Sequence, residues 1–178
     1  PFAIIECQTN GGRSIACSPN GMQVARVENW PTSGVRLWNL DGSAGANLIG
    51  HAGQIYKCVW SPQGDRLASV GIDKTLRVWT LDGKGEVVLN TGQLTASVDW
   101  KPDGTQIACG CEDGRIQLCR PDGRKSSLLE GHKNRVTQVR WSTDGKWIAS
   151  ASRDSTVRLW AESGQPVNAL SGHAGQVD

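Results

Sequence analysis

An all-β fold, a β-propeller built of four-stranded antiparallel blades, is what the sequence predicts, and three observations predict it. A segment of about 41 residues recurs along the chain; within each copy apolar residues alternate in short runs; and turn residues separate those runs at matching positions. Residues 50–79, "GHAGQIYKCVWSPQGDRLASVGIDKTLRVW", align without a gap on residues 131–160, "GHKNRVTQVRWSTDGKWIASASRDSTVRLW". Residues 90–119 fit the same frame, and His51, Thr91, His132 and His173 mark a period of 40, 41 and 41 residues. Upstream, residues 17–38 form a further copy that is two residues longer and has Cys17 where the others have Trp60, Trp100 and Trp141.

The frame divides the chain into repeats at 7–49, 50–89, 90–130 and 131–171, with 172–178 opening a fifth copy and 1–6 reading as the fourth strand of a preceding blade. Both ends therefore stand in the same phase. The whole of 1–178 reads as one propeller segment of about four blades, an incomplete ring that needs further repeats to close. In the copy beginning at Gly131, strands are expected at 135–141, 146–152, 156–161 and 166–170. Asp144-Gly145, Arg153-Asp154-Ser155 and Ser163-Gly164 supply the three turns, where glycine gives the positive φ that tight hairpins require. A single meander of this size cannot bury its own faces, so neighbours must stack, and radial stacking makes a propeller.

Composition agrees with a repeated design. Eight Trp stand beside one Phe and one Tyr, which marks Trp as a residue of fixed positions rather than a general core filler. The net charge is +2 with both signs scattered, so bulk electrostatics point to neither nucleic acid nor an acidic membrane. Six Cys in 178 residues are too sparse for a disulfide scaffold and suggest a reducing, cytoplasmic compartment. No apolar run approaches a membrane span.

The Gly-His start, the Trp-Ser-Pro after the first strand, the Asp before the third strand and the Trp closing it resemble the WD40 family, over essentially the whole chain. The closing dipeptides here read Trp38-Asn39, Trp79-Thr80 and Trp160-Ala161 rather than Trp-Asp. The resemblance implies a structural tetrad of His, Ser or Thr, Asp and Trp in each regular blade. Its members would be His51, Ser69, Asp73 and Trp79 in the second repeat, and His132, Ser150, Asp154 and Trp160 in the fourth. A hydrogen-bonded clip is the physical reason to repeat such a set, whereas a catalytic nucleophile has no reason to recur in every blade. The third repeat holds Thr91, Cys109, Asp113 and Cys119 at these positions and the first holds Gln8, Arg26, Thr32 and Trp38, so those two blades are expected to be less rigid.

The resemblance also implies a protein or peptide partner on the face made by the loop before the first strand and the hairpin between the second and third. The pattern places Gln54, Tyr56 and Ile72 there, with Leu94, Ala96 and Glu112 in the third repeat and Arg135, Thr137 and Arg153 in the fourth. Tyr56, Arg135 and Arg153 are the residue types that anchor interfaces. Trp30, on the lengthened hairpin of the first repeat, is a further candidate contact, with packing on the neighbouring blade as the other reading. Lys133, Arg135, Arg140 and Arg153 suggest a local basic patch, but Glu112 and Asp113 sit near it and no aromatic interleaving favours nucleic acid.

An enzyme has little to use here. All three His occupy tetrad positions, the recurrent glycines belong to turns, and no polar constellation is evident on the inner strands. No motif calls for a cofactor or metal. The cluster of Cys109, Cys111 and Cys119 lacks the paired spacing of a zinc site and reads as a degenerate blade filled by small thiols, with a Cys109–Cys119 disulfide as the alternative. The chain thus reads as an interaction scaffold, or else as a regulatory propeller segment of a larger multidomain enzyme such as a kinase or a nucleotide-hydrolysing switch protein.

Overall fold

A computed structural model describes residues 14–29, 33–83, 85–171 and 175, with residues 85–88 described by their backbone. Trp30, Gln8, Thr32, His173, the segment 1–6 and most of 172–178 lie outside the described residues.

Period-two alternation produces sixteen strands among the described residues and no helix. The first sheet holds β1 (Ile15–Cys17), β2 (Gln23–Glu28), β3 (Gly34–Asn39) and β4 (Ala44–Ile49). The second holds β5 (Ile55–Trp60), β6 (Arg66–Gly71), β7 (Thr75–Thr80) and β8 (Gly85–Asn90). The third holds β9 (Thr95–Trp100), β10 (Ile107–Cys111), β11 (Ile116–Cys119) and β12 (Lys125–Leu129), and the fourth β13 (Val136–Trp141), β14 (Trp147–Ser152), β15 (Thr156–Ala161) and β16 (Pro166–Ser171). Each sheet is an antiparallel meander of strands in sequence order.

The first strands meet those of neighbouring sheets, β1 with β5, β5 with β9 and β9 with β13, so they form the inner edge of the array. Between consecutive sheets lies one apolar layer. Ala25, Val27, Val35, Leu37 and Leu48 of the first sheet pack on Ile55, Cys58, Trp60, Leu67 and Trp79 of the second. Ala68, Val70, Leu76, Val78 and Leu89 then meet Val98, Trp100, Ile107, Cys109 and Cys119. Ile116, Leu118 and Leu129 likewise meet Val136, Val139, Trp141, Ile148 and Trp160.

The fourth sheet repeats the same apolar positions as Ala149, Ala151, Val157, Leu159 and Leu170, and among the described residues no further sheet covers them. Leu170 is 50% exposed where its counterparts Leu89 and Leu129 are 3% and 1% exposed. Among the described residues the first and fourth sheets do not pack on each other, so the four blades form an open arc and not a closed ring.

Candidate functional site

In the second blade, the loop before β5 and the β6–β7 hairpin converge on one buried chain of hydrogen bonds. Trp79 Nε1 donates to Ser69 Oγ at 2.8 Å, and Ser69 Oγ stands 2.7 Å from His51 Nε2. His51 Nδ1 faces the Asp73 carboxylate at 2.9 Å, and the same carboxylate accepts the Ala52 N–H at 2.9 Å and the Thr75 hydroxyl at 2.9 Å. The fourth blade repeats this set: Trp160 to Ser150 at 2.8 Å, Ser150 to His132 at 2.8 Å, and His132 to Asp154 at 2.9 Å. One proton arrangement satisfies every member, with a neutral imidazole that donates from Nδ1 and accepts the serine proton at Nε2. Burial holds both imidazoles below their ordinary pKa and outweighs the attraction of Asp73 and Asp154. Burial would raise the Asp73 carboxyl, but His51 and the Thr75 and Ala52 donors leave it lowered.

Thr75 and Thr156, which join these clips, carry a signal that the four-residue pattern leaves out. They follow the Asp by two positions in both regular blades.

The third blade has lost this chain. Thr91 turns its hydroxyl to the Lys74 carbonyl at 2.9 Å, and Asp113 instead pairs with Arg115, whose Nε lies 2.7 Å away. Arg115 occupies the position of Thr75 and Thr156. Cys109 lies opposite Gln117 and Cys119 opposite Ile107 on adjacent strands, and both thiols are free and fully buried. A hydrogen bond with Cys119, together with burial, pushes the Cys109 thiol well up, and burial pushes Cys111 to about 11. Cys109 and Cys119 fill the space of a larger clip with short, buried thiols. Among the described residues no group of three or more His, Cys, Asp or Glu is placed to hold a metal ion.

The candidate face is held by a repeated backbone contact. Ile72 N–H donates to the Gln54 carbonyl, Glu112 N–H to Leu94 and Arg153 N–H to Arg135, each at 2.9 Å. The residue before the hairpin Asp is thereby fixed beside the residue just before the first strand. Tyr56, Ala96 and Thr137 are each the extra residue of a β-bulge: Ile55 and Lys57 pair with Gly71 and Val70, Thr95 and Ser97 with Cys111 and Gly110, and Val136 and Gln138 with Ser152 and Ala151. A bulge re-aims the side chain it carries. Ile72 is 45% exposed, and Glu112 and Arg153 are also exposed.

Arg135 lies over the Tyr56 ring at 5.5 Å. The expected basic patch is divided, because Arg135 stands before β13 while Arg140 stands near its far end and pairs with Asp99 at 3.4 Å. Four residues of strand, 136–139, lie between the two.

The inner edge differs from the sequence expectation, since a polar constellation is present there. Lys57 Nζ donates to Ser97 Oγ and to Gln138 Oε1, each at 3.1 Å, and so reaches from the second blade to the fourth. Ser97 Oγ also accepts the Val139 N–H at 3.1 Å, and Asp99 accepts the Trp141 N–H at 2.8 Å. Ser14 repeats the first of these stitches with the Cys58 N–H at 3.2 Å, and Asn29 brackets the backbone of Ile55, accepting from its N–H at 2.8 Å. These partners lie 26 to 81 residues apart, so an alignment of repeats does not bring them side by side.

Comparison with known proteins agrees with this architecture. The sequence profile of WD40, described as WD domain, G-beta repeat, matches residues 42–80, 90–119 and 123–161, more than half of the chain. The chain is 29% identical over 140 residues to F-box-like/WD repeat-containing protein TBL1X of Mus musculus, which takes in 70% of this chain and 27% of that protein. It is 34% identical over 110 residues to Coronin-7 of Bos taurus, 60% of this chain and 12% of the relative. WD repeat-containing protein AAC3 of Dictyostelium discoideum is 30% identical over 129 residues, 59% of this chain and 27% of the relative. The chain therefore spans 27% or less of the length of these relatives. Four stacked meanders, two complete clips and the profile matches together make this chain a member of the WD40-repeat family.

Proposed function

We propose that this WD40 segment is an interaction scaffold with no chemistry of its own, and that it holds a partner protein or peptide on the face built from Gln54, Tyr56, Ile72, Glu112, Arg135, Thr137 and Arg153. The observation that carries the reading is the repeated backbone bond joining residues 54 and 72, 94 and 112, and 135 and 153, which holds side chains of three blades on one rim. Preorganised side chains lose less entropy on binding, and Tyr and Arg are the residue types that supply most interface energy. The Ser, His and Asp sets favour the same reading, because their polar atoms are spent on one another in buried clips.

Capture of a partner should weaken by about tenfold or more in Tyr56→Ala, Ile72→Asp and Arg135→Glu, with the fold retained by circular dichroism. Binding that survives replacement of the whole face would sink the assignment.

A further blade in the same chain, or in a partner copy of it, is the cover that suits the apolar face of Ala149, Val157, Leu159 and Leu170. The preceding faces of the same composition are each covered by the next blade, and residues 172–178 repeat the opening of such a blade. The alternative reading, a regulatory propeller within a larger multidomain enzyme, predicts a catalytic domain in the same reading frame, whereas further repeats alone favour the scaffold.

A further inference from the structure

We propose that the inner edge of blades two to four is a binding site for an oxyanion, phosphate or carboxylate, held between Lys57 and Arg140 above Ser97, Asp99 and Gln138. The site is separate from the partner-binding face and does not depend on that reading. Its charge is unbalanced. Two cations, Lys57 and Arg140, face a single carboxylate, and Asp99 is already committed to Arg140 and to the Trp141 N–H. The ammonium of Lys57 is half-buried, and its hydrogen-bond acceptors among the described residues, the Ser97 hydroxyl and the Gln138 amide, are both neutral. A charge drawn partly out of water is stabilised by a counter-charge, so a further anionic group beside Lys57 and Arg140 is favoured.

Geometry defines that place. Ser97 Oγ and Gln138 Oε1 take two of the three Lys57 protons, which leaves the third for an acceptor on the open side, where Gln138 and Arg140 are exposed. Residues 138 and 140 alternate onto the same face of β13, about 7 Å apart along the strand. An oxyanion seated there touches the Lys57 ammonium and the Arg140 guanidinium together, the fork and point-charge combination that suits phosphate and carboxylate oxygens.

Among the described residues, Ser97 and Asp99 on β9 and Gln138 and Arg140 on β13 face Lys57, while the neighbouring Cys58 turns into the core between the first two blades. Burial first, then repulsion from Arg140, lowers the Lys57 ammonium to about 8 against the attraction of Asp99. An anion bound beside it favours the charged form, so binding and protonation reinforce each other. Affinity should therefore be full below pH 8 and should fall as pH rises above it.

Sulfate, whose charge is constant across this range, is the free-anion probe, and a hexaglutamate peptide tests whether a partner's acidic side chain is the source. The full chain is titrated at constant ionic strength against chloride, with backbone amide shifts of Lys57, Ser97 and Gln138 as the readout. The expected result is saturable binding at these amides, weakened about tenfold by Lys57→Met and also by the exposed Arg140→Gln. Lys57→Arg should retain affinity and lose the fall above pH 8. Binding of sulfate assigns a free anion, and binding of the peptide alone assigns an acidic segment of a partner. Absence of binding by both, or affinity indifferent to Lys57→Met and Arg140→Gln in folded protein, overturns the proposal.

Discussion

The guanidinium of Arg135 lies 5.5 Å from the centre of the Tyr56 ring, although the fourth blade supplies one residue and the second blade the other. The third blade carries only Ala96 at the position held by Tyr56 and Thr137. A cation over an aromatic face contributes about 0.5–1 kcal/mol at a partly exposed site. The double mutant Tyr56→Leu with Arg135→Met should therefore be less destabilised than the sum of its singles, by about 0.5–1 kcal/mol in urea titrations. Additive single effects would mean that the stacked pair contributes nothing to joining the blades.

Replacing Ser150 by Ala tests the clip. The change removes the acceptor of the Trp160 indole N–H and the donor to His132 Nε2, and leaves two buried polar atoms without partners. Each unsatisfied buried group costs about 1–3 kcal/mol, so the expected loss is roughly 2–6 kcal/mol. Cys109→Ser in the third blade should gain nothing, because Thr91 and Cys119 stand where the imidazole and indole would be. Equal effects of the two changes in chemical denaturation would contradict the hydrogen-bond account.

Acid should loosen the regular blades through the same clips. Both histidines are lowered from 6.5 in the fold by burial, so the unfolded chain binds more protons than the native one as pH falls through 6.5. Stability then declines with falling pH. Protonation at Nε2 also takes away the acceptor of the serine hydroxyl proton. Nuclear magnetic resonance titration of His51 and His132 should give midpoints below 6.5, and midpoints at or above it would reverse the sign.

These two clips were legible in the sequence because four polar residue types recur at one fixed internal spacing, and strand positions were legible from alternation and turn residues. The fourth-repeat strands expected at 135–141, 146–152, 156–161 and 166–170 are found within a residue, at 136–141, 147–152, 156–161 and 166–171. The inner edge was not legible. Lys57, Ser97 and Gln138 share one position of the repeat, so alignment superimposes them and hides that they touch. Only the stacking of three blades converts equivalent positions into neighbours. The bulges at Tyr56, Ala96 and Thr137 were hidden for a related reason, since an unpaired residue is visible only against its partner strand.

Loss of the clip should show in local opening. Amides of β10 and β11 are expected to exchange with solvent faster than those of β14 and β15, although all four strands lie away from the outer edge of their sheets. The third blade replaces the chain from Trp to Asp with short thiols and an ion pair at the surface, which ties its hairpin less firmly to the preceding loop. Native-state hydrogen exchange compares them directly, and equal protection of the two blades would show that apolar stacking alone sets their rigidity.

The hairpin position after the Asp gives the sharpest test of local geometry. Lys74, Gly114 and Ser155 occupy it in three successive blades, with φ of 62°, 87° and 67°. The left-handed region costs a residue with a Cβ about 1–2 kcal/mol, so Lys74→Gly and Ser155→Gly should be neutral or stabilising by up to about 1 kcal/mol. Gly114→Ala goes the other way, and for two reasons. The strain of φ is joined by a steric one, since a Cβ at Gly114 would meet the His132 carbonyl oxygen of the next blade at 2.5 Å. Backbone on both sides leaves little room to yield, and the loss should exceed the strain alone. Thermal or urea unfolding of the three variants measures this. A Gly114→Ala variant no less stable than the parent would show that the third hairpin and the fourth-blade loop do not approach as closely as His132 and Gly114 do here.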